Sequence, residues 1–145
     1  ILYKQLFDGG EAELKLLNNS DPLSSSLEIY ASPPGKKMQT LSLLSGGEQA
    51  LTAISLIFAV YLCNPSPLCI LDEVDAALDD NNVNKFCELL GELEKNRGIN
   101  FFVITHHRLT MAKMNRLLGV TMQEKGISKL VTVDLEKAIH MKEAS

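Results

Sequence analysis

Two short runs in this chain, LCIL at Leu68 to Leu71 and FFVIT at Phe101 to Thr105, are almost wholly apolar, and one amphipathic segment separates them. Unbroken apolar runs of this length mark strands covered on both faces, as inside a parallel sheet. Between them, Asn81 to Lys95 sets Val83, Phe86, Leu90 and Leu93 on one helical face, with Asp79 or Asp80 available to cap its start. Strand, helix and strand in that order predict a parallel pair joined by a right-handed crossover. The fold class expected is α/β, with parallel core strands, helices and flanking antiparallel strands.

The flanks read differently. Ala12 to Leu17 and Leu27 to Ala31 alternate apolar and polar residues, which is the period of half-covered strands, and NNSDPLSSS between them is a loop. SPPGKK at Ser32 to Lys37 is a turn, and MQTLSLL is a further strand or an extended approach. The opening is thus an antiparallel meander. Gly46 to Leu62 reads as a buried helix, since only Thr52 and Ser55 are polar between Ala50 and Cys63. Arg108 to Asn115 is a short helix. LLGVTM and KLVTVDL, joined at QEKGIS, form a closing pair of strands, and the tail from Glu136 is a polar helix or disordered.

A length of 145 residues suffices for one domain with a core. The formal charge of -4 excludes a chain that is cationic overall, so any DNA contact needs a local basic patch. Cys63, Cys69 and Cys87 form no CxxC pair and read as buried thiols in a reducing compartment. No signal peptide opens the chain, and the longest apolar run is too short to span a bilayer. The expected location is cytoplasmic, without a membrane partner. The first residue is not Met, and the chain opens on what resembles a helix end, which suggests a piece of something longer.

Three stretches could carry chemistry. CILDEVD ends an apolar strand in two acids, Asp72 and Glu73. At the C-terminal edge of a parallel sheet, such a pair suits phosphoryl transfer: the first acid holds Mg²⁺ and the second activates water. Alternatively the acids simply open a loop. ITHH ends the next strand, so one histidine can reach the same edge and meet a γ-phosphate. A hydrogen-bonded surface histidine is the plainer reading; no third ligand stands at a spacing suited to zinc. LSGGEQ at Leu44 to Gln49 offers Ser45 as a cap, while Gly46 and Gly47 leave the first N–H groups uncovered, as at a phosphate site. A capped core helix with a Gly-Gly entry fits equally.

Taken in order, LSGGE, the apolar strand with DE, DAALDD and the strand with TH resemble the signature, Walker B, D-loop and switch-histidine series of ABC-type ATPases. Together with PPGKK, LDEVDAALDDNNV and GVTMQEKGISKLVTVDL, nearly the whole chain resembles the C-terminal half of the head of a bacterial SMC (structural maintenance of chromosomes) protein. The resemblance implies an ATPase in chromosome condensation and segregation, using ATP and Mg²⁺. It implies that Ser45, Gly46, Gly47 and Glu48 contact a triphosphate held by a partner head. Asp72 would hold Mg²⁺ directly or through water, Glu73 would be the catalytic base, and His106 the switch histidine. Ala76, Ala77, Leu78 and Asp79 would form the D-loop across the head-to-head interface.

The family's phosphate loop is missing from these residues. GxxxxGK[ST] does not occur; Gly35-Lys36 is followed by Lys37 and has Tyr30 where the first glycine would stand. The resemblance therefore implies an N-terminal Walker A lobe elsewhere in the protein, beyond coiled-coil arms and a hinge, and the sheet should keep an apolar edge or face that this lobe normally covers. Ile1 to Phe7 would end the returning arm, 8–135 would be the lobe, and 136–145 a tail. Implied partners are that lobe, a second copy joined through heads and hinge, a kleisin subunit and DNA. His107-Arg108 stands where the family often has Asn-Lys. Competing readings are the head of another coiled-coil DNA-repair ATPase, a transport ATPase module, against which Glu48 argues, and a non-enzymatic binding module.

Overall fold

The computed structural model describes residues 1–17 and 21–134. The chain divides into two units, Ile1–His106 and His107–Ser145. The first opens with helix α1 (Leu2–Phe7). Strands β1 (Glu11–Leu16), β2 (Leu27–Ser32) and β3 (Gln39–Thr40) then form an antiparallel sheet in the order β1-β2-β3. Leu16 faces Leu27, Glu11 faces Ser32, and Tyr30 faces Thr40, so the meander read from the alternation is present. MQTLSLL splits into the two-residue β3 and a 3-10 turn at Leu41–Leu43.

Helix α2 (Gly46–Tyr61), strand β4 (Leu68–Asp72), helix α3 (Asp80–Arg97) and strand β5 (Asn100–Ile104) follow. β4 and β5 are parallel, from Leu68 opposite Asn100 to Asp72 opposite Ile104, as the two apolar runs predict. Asp79, not Asp80, caps α3: its carboxylate accepts from the Asn82 N–H at 2.8 Å. Gly98, left-handed at φ 65°, ends the helix by donating to the Glu94 carbonyl.

The core of this unit is helical. Tyr3, Leu6 and Phe7 of α1 are buried, with the Tyr3 and Phe7 rings stacked 4.2 Å apart. From α2 come Leu51, Ile54 and Phe58, and from α3 come Val83, Phe86, Leu89, Leu90 and Leu93. Phe58 meets Phe101 of β5 edge-on at 6.1 Å, tying α2 to the parallel pair. Phe86 is fully buried. Phe86→Ala is expected to lose about 3–5 kcal/mol of stability, by transfer and cavity terms. Phe102→Ala, on an exposed position, should lose far less. Urea unfolding of the two variants checks the difference.

Two expectations need correction. α2 is not buried all round: Ile57 and Val60 are exposed, whereas Thr52 and Ser55 lie inside. Their hydroxyls donate to the Glu48 and Thr52 carbonyls of the same helix, both at 2.7 Å, so each finds an acceptor within α2. An open apolar face, by contrast, is expected on this sheet and is present: Leu71 of β4 is buried, but Ile70 is 64% and Phe102 of β5 47% exposed on the other side. Finally, only Cys87 is buried; Cys69 is half-buried and Cys63 exposed.

The second unit contains α4 (Arg108–Ala112), shorter than the expected Arg108 to Asn115, and an antiparallel hairpin. β6 (Arg116–Glu124) pairs with β7 (Ile127–Asp134), with an irregularity between Thr121 and Glu124. The turn is Lys125-Gly126, and Gly126 takes φ 87°. The tail expected from Glu136 lies outside the described residues. Among the described residues, no helix is long and apolar enough to cross a membrane.

Candidate functional site

Parallel pairing decides where the acids go. Because β4 and β5 run in register, Asp72 and Ile104 end their strands side by side, and the residues that follow share one sheet edge. Asp72 and Glu73 are both exposed there. Glu73 has left-handed backbone, φ 49°, which a residue with a Cβ adopts at a cost of about 1–3 kcal/mol. Its N–H donates to the Ile104 carbonyl at 2.9 Å, fixing the turn against the end of β5. The result brings the Glu73 carboxylate to 3.6 Å from Nδ1 of His106. Glu73 and His106, 33 positions apart in sequence, thus face one another at the C-terminal end of the pair.

A third acid, which the motif reading passed over, holds this edge together. Asp75 is 1% exposed, and its carboxylate accepts from the Thr105 hydroxyl at 2.7 Å. Thr105 directly precedes His106, so the bond ties the segment after β4 to the segment after β5. A buried acid needs such a partner. The sequence signal was there: Asp75 is flanked by apolar residues, and Thr105 ends an apolar run.

Ala76, Ala77, Leu78 and Asp79 run on from this edge as two successive turns. The Ala76 N–H donates to the Glu73 carbonyl at 3.1 Å, and the Leu78 N–H to the Asp75 carbonyl at 3.0 Å. Ala76, Ala77 and Asp79 are exposed, whereas Leu78 is buried and anchors the segment. It ends at Asp79, the cap of α3, beside the start of α2. A Cβ on Gly47 would lie 3.2 Å from Nδ2 of Asn82 and 3.9 Å from Oδ2 of Asp79. Gly47 therefore lets the two helix starts approach.

At the tip of α2, Ser45 is the N-cap, with extended backbone. A Cβ on Gly46 would meet nothing within 4 Å, so no side chain shields that side of the tip. The Glu48 carboxylate turns back on the cap, accepting from the Ser45 N–H at 3.1 Å and from its hydroxyl at 2.9 Å. Lys36 also reaches it, with Nζ 2.8 and 3.0 Å from the two carboxylate oxygens. The Lys36 ammonium, followed by the Ser45 donors, holds the Glu48 carboxyl below the usual carboxylate range against the opposing effect of burial. A lowered carboxyl stays ionised at neutral pH, and its pairing fades only as pH falls through the lowered value.

The predicted residues thus form two clusters. Asp72, Glu73 and His106 share the sheet edge, Ser45, Gly46, Gly47 and Glu48 share the helix tip, and Ala76–Asp79 lead from one to the other. Among the described residues, no group of three or more His, Cys, Asp or Glu could hold a metal ion. One or two carboxylates fit a Mg²⁺ completed by water and phosphate oxygens, which needs no closed protein cage.

Comparison with known proteins gives this geometry its context. The family model described as "RecF/RecN/SMC N terminal domain" matches residues 6–129. The "Chromosome partition protein Smc" of Rhodopseudomonas palustris is 63% identical over 95% of this chain, which spans only 12% of that relative's length. A solved structure described as "Structural biochemistry of ATP-driven dimerization and DNA stimulated activation of SMC ATPases" superposes with a TM-score of 0.82 at 40% identity, covering 99% of this chain and 85% of that one. An Smc head from Pyrococcus furiosus, with an extended coiled coil and bound to the C-terminal domain of ScpA, superposes at 0.80 with 41% identity, over 99% of this chain and 35% of that one. On sequence and structure together, the chain belongs to the RecF/RecN/SMC N-terminal domain family, with the fold of a lobe of a bacterial SMC ATPase head.

Proposed function

We propose that this chain is the C-terminal lobe of the ATP-binding head of an SMC protein that acts in chromosome partition, condensation and segregation. The observation that carries the reading is the meeting of Glu73 and His106 at one sheet edge, beside an exposed Asp72, with a helix tip open on the Gly46 flank at the far end of the connecting loop. Glu73 is the base for the attacking water, and His106, in contact with it, faces the γ-phosphate. Asp72 would hold Mg²⁺, which supplies charge neutralisation on the phosphates. Ser45, Gly46 and Gly47 meet the triphosphate of a second head. Glu48 serves that contact indirectly, since its carboxylate is engaged by Ser45 and Lys36. Ala76–Asp79 cross the interface as the D-loop.

The remaining parts of the proposal extend the resemblance to SMC heads. Ile1 to Phe7 ends a coiled-coil arm, residues 8–135 form the lobe, and 136–145 are a tail. The exposed face of β4 and β5 packs on an N-terminal lobe that carries Walker A. A second copy joined at heads and hinge, a kleisin subunit and DNA are the partners, and the cytoplasm is the location. Because no phosphate loop lies within these 145 residues, the chain by itself should show no ATP turnover above buffer. Co-expression with the Walker A lobe should restore turnover that requires Glu73. Phosphate release by the chain alone, lost in Glu73→Gln, would contradict the division of labour.

A further inference from the structure

The PPGKK turn joins β2 to β3, ahead of α2. Its shape is fixed from several sides. The Lys36 N–H donates to the Pro33 carbonyl at 2.9 Å, closing a turn with Pro34 and Gly35 at its centre. Gly35 takes φ 79°, the left-handed value such a turn requires at that position. The Ser32 hydroxyl donates to the Lys36 carbonyl at 2.7 Å, and Pro33 is buried. Ser32 is the last residue of β2, so the turn stands on the antiparallel sheet.

From this turn Lys36 reaches across 12 positions of sequence to both oxygens of Glu48. Glu48 in turn holds the N–H and the hydroxyl of Ser45. The three residues form a relay from the sheet to the tip of α2. Its contribution to folding stability is small, because the Lys36 side chain is 49% exposed and such pairs are screened. Its electrostatic consequence at the tip is larger. Glu48 sits in the first turn of α2, where an anionic ligand would be repelled by a bare carboxylate. A cation on that carboxylate offsets the repulsion.

We infer that Lys36 is a positioning residue for the tip of α2, holding Glu48 and offsetting its charge so that the tip accepts a polyanionic nucleotide. This rests on the proposed contact between Ser45–Gly47 and the triphosphate of a second head. The PPGKK turn is then the strut that carries Lys36, and the antiparallel sheet becomes part of the nucleotide-dependent junction.

The test uses the full-length protein carrying Glu73→Gln, so that hydrolysis does not drain the paired state. Head pairing is read by cysteine cross-linking across an ATP titration. Lys36→Gln should raise the ATP concentration for half-maximal pairing by about tenfold while leaving the thermal midpoint in place, and Lys36→Arg should restore it. Adding Lys36→Gln to Glu48→Gln should cause little further change, because the carboxylate it serves is already gone. A purely structural role would instead lower the thermal midpoint and the pairing amplitude. Pairing of Lys36→Gln at the parent's ATP concentration, or additive effects in the double variant, would overturn the inference. Ser45→Arg separates the two levels: if it pairs normally, the contact in trans is wrong. If it fails to pair while Lys36→Gln pairs normally, only the role of Lys36 is wrong.

Discussion

Glu73→Gln in the full-length protein is expected to lower ATP turnover by about 10²–10⁴-fold, the range for loss of a positioned general base, and to accumulate ATP-joined heads. The substitution preserves the shape of the side chain. It also preserves the backbone bond from the Glu73 N–H to the Ile104 carbonyl, so the left-handed turn stays intact. What disappears is the proton acceptor 3.6 Å from His106. Binding and pairing therefore continue while the chemical step stalls. The joined species should appear on sizing columns with ATP and disperse when nucleotide is removed. Turnover like the parent's would mean that another group takes the proton.

Ser45→Arg is expected to act at the opposite end of the site. The larger side chain would cover the open flank of Gly46 and draw Glu48 away from the helix cap. ATP-dependent pairing should weaken by about 100-fold or more, equivalent to ~2.7 kcal/mol. ATP binding to the variant's own head should persist, because the proposed Walker A lobe would supply that pocket's floor. Nucleotide-binding and sizing measurements on the same preparation check both halves. The two substitutions thus give opposite phenotypes: one traps paired heads and the other prevents them.

Much of this architecture is legible from residue pattern. LCIL and FFVIT predict the parallel pair, whose register then places Asp72, Glu73 and His106 at one edge. Apolar period, however, reports what a whole protein buries, not which neighbour covers it. Hence Ile70 and Phe102 belong to runs that read as core yet lie open in this chain. Thr52 and Ser55 mislead in the opposite direction, since a hydroxyl bonded to its own helix is as easily buried as a methyl group. Asp75 escapes a pattern reading because a carboxylate reads as surface until its partner Thr105, 30 residues away, is brought beside it. The Lys36–Glu48 pair is hidden for the same reason. A turn and a helix start must both be placed before their charges can be matched.

The central claim is that the tip of α2 completes a nucleotide pocket whose floor belongs to another head. Its most direct test is a crystal structure of the Glu73→Gln heads, both lobes present, grown with ATP and Mg²⁺. The prediction is a two-fold pair in which the Gly46 and Gly47 N–H groups, and the Ser45 hydroxyl once turned from Glu48, lie about 3 Å from the γ-phosphate oxygens bound by the opposite head. A pair in which these groups face solvent, or meet only the nucleotide of their own head, would contradict it.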